Sequence, residues 1–94
     1  VSLDKSLSQC LELLQSVNES FWSEKIKDVL AQRSSTQLAQ SILDWYGGMG
    51  SFSDLVICRI NGHEIAAEKE MSINKKLSVL RTKIYKKANS LLRQ

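Results

Sequence analysis

Apolar residues recur at spacings of three and four over four stretches of the chain, and polar or capping residues fall between them. The first stretch carries Leu3, Leu7, Cys10, Leu11, Leu14 and Val17, a single stripe that predicts an amphipathic helix over about residues 2–18. Asp4 suits the positive end of that helix's dipole. Val17–Ser20 reads as a short break. Trp22, Ile26, Val29 and Leu30 then predict a second helix over about residues 20–32, with Phe21 beside the apolar face and Glu24, Lys25, Lys27 and Asp28 on the polar one. Arg33–Thr36 is the next turn, and Ser34 with Gln37 has the spacing of a capping box. The third helix follows to about Tyr46, with Leu38, Ala39, Ile42, Leu43 and Tyr46 inward. Gly47 fits the left-handed position that ends a helix, because it lacks a β-carbon.

Beyond Gly47 the pattern changes. Residues 47–54 form a glycine-rich loop, and Leu55–Ile60 is a short β-prone run. Asn61–Gly62 is a strong two-residue hairpin signal. A hairpin there places Ile60 opposite His63, Arg59 opposite Glu64 and Cys58 opposite Ile65. Asn61 with Glu64 also has capping-box spacing, so a helix starting at Gly62 competes with it. The hairpin is favoured, because two short strands survive when packed on helices. Ile73, Leu77, Leu80, Ile84, Ala88 and Leu91 fall within about 80° of one another on a helical wheel, which predicts a last helix over about residues 72–92. The expected fold is mainly α: one small four-helix domain over residues 1–94, with a glycine-rich loop and a short β-hairpin between helices three and four.

Charge sharpens this picture. At 94 residues the chain makes one domain, and no apolar run reaches the length of a membrane span. The net charge of +3 conceals two halves: residues 1–70 sum to −4, whereas residues 71–94 carry seven basic side chains and no acid. On the wheel six of the seven crowd into an arc of about 120° beside the core face, and Arg81 alone stands apart. Val79 lies inside the basic arc, while Asn74, Ser78, Thr82, Tyr85 and Asn89 make an uncharged flank. A basic stripe with an apolar spot is the composition of a partner surface. It also suits phosphate, although single-strand binding wants several stacking aromatics and this segment offers Tyr85 alone.

Candidate chemistry is sparse. His63 is the only histidine, and Ser51 and Cys58 are its neighbours only along the chain; no third group completes a triad. One histidine and two cysteines 48 residues apart do not supply a metal's three or four converging ligands. Cys10 and Cys58 are expected as reduced thiols, with Cys10 a small buried hydrophobe. Phosphate loops run strand, loop, helix, and Gly47–Ser51 reverses that order. No catalytic residue, metal, cofactor or small-molecule substrate is expected.

Trp45–Tyr46–Gly47–Gly48–Met49–Gly50–Ser51–Phe52, followed by Asp54–Leu55, resembles a family of small uncharacterised bacterial proteins with a W-[YF]-G-G-M-G-S-[FL]-x-D-L signature. Asn61–Gly62–His63 and Leu80–Arg81–Thr82–Lys83–Ile84–Tyr85 are similar to later parts of the same family, so the likeness covers about residue 42 onward. The resemblance implies a bacterial, cytoplasmic protein, imports no catalytic residue, and suggests the immunity proteins that neutralise delivered toxins. The expected function is therefore non-enzymatic docking of another protein, a toxin domain in the most specific form, with no membrane role. Candidate contacts are Lys76, Val79, Lys83, Lys86 and Lys87 on the last helix, or Met49, Ser51, Asp54, Arg59 and His63 on the loop. The acidic residues Glu12, Glu19, Glu24 and Asp28 are a further candidate face. The alternative is a nucleic-acid-binding regulator that uses the basic last helix.

Overall fold

A computed structural model describes residues 2–32, 34–46 and 51–93. Four α-helices carry the architecture: α1 (Ser2–Ser16), α2 (Ser20–Leu30), α3 (Ser35–Leu43) and α4 (Glu70–Leu92). Three short 3-10 turns, Phe52–Asp54, Arg59–Asn61 and Ala67–Lys69, punctuate the crossing from α3 to α4. No strand occurs among the described residues. The long α4 is the spine, with α1 and α3 both packed along it and α2 packed mainly on α1.

The predicted stripes are the buried ones. Leu3, Leu7, Cys10, Leu14 and Val17 of the first stretch join Trp22, Ile26 and Val29 of α2, Leu38, Ala39 and Ile42 of α3, and Leu77, Ile84 and Ala88 of α4 in one core. Helix ends differ from the sequence reading by up to three residues, α3 ending at Leu43 and not near Tyr46. α1 stops at Ser16 because Asn18 turns left-handed at φ 60°. The Asn18 N–H then donates to the Gln15 carbonyl and the Glu19 N–H to the Leu14 carbonyl, the double closure of a Schellman cap. Ser34 caps α3 as its spacing predicts, its Oγ accepting the Gln37 N–H at 3.4 Å.

The β-hairpin expected over residues 55–65 does not form, nor does a helix from Gly62. Asn61–Gly62 does reverse the chain, but as a 3-10 turn that ends on Gly62 at φ 86°. The backbone groups a second strand would satisfy find side chains instead. Asn74 of α4 presents its amide to Ile57 as a strand would: Oδ1 accepts the Ile57 N–H at 2.7 Å and Nδ2 donates to the Ile57 carbonyl at 2.7 Å. The Cys58 N–H goes to His63 Nδ1 and the Arg59 N–H to Glu70 Oε2. An extended run needs its hydrogen bonds met, not a strand as such. The expected contact at Met49, the Gly47–Gly50 part of the expected loop, the helix stop at Gly47 and the first residue of the turn expected from Arg33 lie outside the described residues.

Trp45 and Phe52, which flank that loop, are both core residues. The Phe52 N–H donates to the Trp45 carbonyl at 2.8 Å, and the Phe52 ring lies 4.9–5.8 Å from those of Trp22, Trp45 and Tyr46. The signature's aromatics thus converge on one cluster, worth about 0.5–1.5 kcal/mol per pair beyond their buried area.

Candidate functional site

Two flanks of α4 do different work. The uncharged one holds residues 51–65 in place. Asn74 grips Ile57, as above. Arg81, the basic residue that stood apart on the wheel, points one guanidinium nitrogen at the carbonyls of Phe52, Ser53 and Leu55, at 2.8–3.2 Å. It thereby satisfies the carbonyls leaving the Phe52–Asp54 turn. Tyr46 closes the set by donating its hydroxyl to the Arg81 carbonyl at 2.8 Å, with its ring 5.0 Å from that of Tyr85. Burial pushes the Cys10 thiol up to about 12 against the opposing charge of Arg81. Burial, with Cys10 next, also raises the Tyr46 phenol. Both groups are therefore neutral at pH 7.

His63 makes a second fastening. It is 7% exposed. Its Nδ1 lies 3.1 Å from the Cys58 amide nitrogen and 3.2 Å from the Cys58 carbonyl, and its Nε2 donates to Glu19 Oε1 at 2.7 Å. The other oxygen of the same carboxylate accepts the Trp22 N–H and caps α2. Next door, the Glu64 N–H donates to the Val17 carbonyl at 2.9 Å. One acid thus joins the α1–α2 corner to the loop.

The second flank of α4 is open. Between it and α1 runs a groove of about 760 Å³. Leu13 of α1 and Val79 and Leu80 of α4 give it an apolar floor, and Val79 is 51% exposed. Gln9 and Glu12 stand on the α1 side, and Ser72, Lys75 and Lys76 on the α4 side. Exposed Lys83 continues the basic wall, as does Lys86 farther round. Lys87 is half-buried and donates to the buried Ser6 hydroxyl at 2.8 Å, which fastens α4 to α1.

The candidate contacts therefore fall into separate places. Lys76 and Val79 share the groove, and Lys83 and Lys86 lie on the same arc. Arg59 and Asp54 are exposed on the loop. The half-buried Ser51 pairs its hydroxyl with that of Ser53 at 2.7 Å. His63, offered as a surface contact, is buried, and Glu19, offered as part of an acidic face, is committed to it. Ser51 and His63 are not brought together by any hydrogen bond. Leu13, Lys75, Asn74 and Arg81 were not singled out from sequence as site or fastening residues. Leu13 lies off the stripe of α1 and Arg81 off the basic arc, and each displacement was a readable signal. Cys10 and Cys58 are free thiols. Among the described residues no group of three His, Cys, Asp or Glu side chains converges as a metal site would, and no helix is long and apolar enough to cross a membrane.

No curated protein and no solved structure matches the chain. A family model does match, over residues 15–66, and its description is Domain of unknown function (DUF6966). The match reaches farther toward the N-terminus than the signature did and stops before α4. It takes in the Glu19–His63 fastening and the aromatic cluster around Phe52, so this uncharacterised domain family is the one to which the chain belongs.

Proposed function

We propose that this chain is a non-enzymatic protein-binding module that docks a partner in the α1–α4 groove. In its most specific form it is an immunity protein that masks the active or substrate-binding surface of a cognate bacterial toxin. The observation that carries the reading is the groove: an apolar floor of Leu13, Val79 and Leu80 left open to solvent between charged walls. An apolar centre with a polar rim is the anatomy of a protein interface.

The basic arc supports a second reading, nucleic-acid binding by α4. Lys75, Lys76, Lys83 and Lys86 are exposed together, but Tyr85 lies on the opposite flank, against Tyr46, so the arc lacks a stacking aromatic.

The test is recovery of the native protein with its partner. A stoichiometric partner should co-purify, and Val79→Glu should lower its recovery at least tenfold while the melting temperature stays unchanged, because a half-exposed site tolerates the charge. A partner retained by Val79→Glu contradicts the groove. Recovery of nucleic acid alone, released by modest salt, favours the second reading.

A further inference from the structure

We propose that the occupant of the groove is a short amphipathic helix of the partner protein, with an acidic flank laid along α4 and a basic position opposite Glu12. This rests on the docking role above and adds the chemistry of the partner. A groove between two packed helices receives the side-chain ridge of a third, and helix-in-groove docking reads apolar anchors at i, i+3, i+4 and i+7. The floor has that scale. Ser72 to Leu80 covers about two turns of α4, roughly 12 Å along the axis. Leu13, Val79 and Leu80 along it offer room for two or three anchors.

Charge sets the flank and the direction. The α4 wall presents Lys75 and Lys76, with Lys83 one to two turns on, and residues 71–94 contain no acid to neutralise them. The α1 wall presents one carboxylate, Glu12, beside the neutral Gln9. Among the described residues, none forms a salt bridge or hydrogen bond with the side chain of Lys75, Lys76 or Glu12. An acidic flank over the lysines is attracted and a basic one repelled, and the Glu12 wall reverses the preference on the other side. The asymmetry rejects the same helix docked the wrong way round.

Two designed helical peptides of about fourteen residues test this, since isolated helices much shorter are marginal in water. They share one apolar stripe. One carries Glu along one flank and a Lys on the other; its counterpart has the signs exchanged. Titration into the isotope-labelled protein is followed at the Leu13, Val79 and Leu80 methyl groups. The acid-flanked peptide should shift those methyls and bind at least tenfold tighter than its counterpart, and Lys75→Glu with Lys76→Glu should invert the order. Equal binding of the two peptides overturns the proposal, as does binding of neither, or shifts confined to other methyls. A dimer of this chain that buries Val79, seen by sedimentation, overturns it as well. A native partner lost on Val79→Glu, yet seating a basic-flanked segment, removes this occupant and leaves the docking role intact.

Discussion

Arg81 shows how much of this fold depends on single side chains that satisfy backbone. Its guanidinium serves three carbonyls, of which that of Phe52 also accepts the Leu55 N–H. Hydrogen bonds to a charged group contribute about 1.5–3 kcal/mol, so Arg81→Ala should lower stability by about 3 kcal/mol in urea unfolding, and Arg81→Lys, which lacks the planar fork, should recover only part. Asn18 is a smaller case. Its left-handed backbone costs an ordinary residue about 1–2 kcal/mol, so Asn18→Ala should destabilise by about 1 kcal/mol and Asn18→Gly hardly at all. Cys10 and Tyr46 make stability depend on alkaline pH. Each folded-state pKa is raised above its unfolded value, so the unfolded chain loses its proton first as pH climbs. The stability held below about 9 is then lost progressively, for Cys10 toward about 12. Cys10→Ala should flatten the fall in melting temperature over that range, whatever it does to the value at neutral pH.

Among the elements, the four helices were legible and the crossing from α3 to α4 was not. Helical periodicity reports burial of one face against neighbours anywhere in the core, so it reads correctly from the chain alone. Residues 55–65 are different. The backbone N–H groups of residues 57–59 are satisfied by Asn74 and Glu70 of α4 and by His63 from beyond the Arg59–Asn61 turn. Nothing in Leu55–Ile60 distinguishes a run paired with a strand from one paired with an asparagine. The hairpin expectation failed for that reason, while Asn61–Gly62 still turned the chain. Hydrogen exchange checks this assignment. The Ile57 amide should be protected although it belongs to no strand, and Asn74→Ala should release it selectively while the amides of α1 and α2 keep their protection. Uniform loss of protection would instead mean that Asn74 holds the whole fold. The candidate site was half legible in the same way. Val79 within the basic arc marked the α4 wall, whereas Leu13, Gln9 and Glu12 join it only because α1 packs alongside.

At the scale of the molecule, chain composition and fold act together. The acid-free last quarter becomes the spine. Asn74 and Arg81 reach from one flank onto residues 51–65, its apolar stripe enters the core, and its lysines other than Lys87 are left facing solvent. Two side-chain fastenings, Glu19–His63 and Arg81 with its three carbonyls, secure the crossing on the flank away from the groove. The fold thus separates the residues that hold it together from those left available to a partner. The most direct test places a photo-crosslinking residue at position 79 in the native host, with a second at the exposed Gln40 of α3 as reference. One protein partner, cross-linked from position 79 and not from position 40, is the predicted result. Cross-linking of the same proteins from both positions, or of nucleic acid and no protein from position 79, would contradict the account.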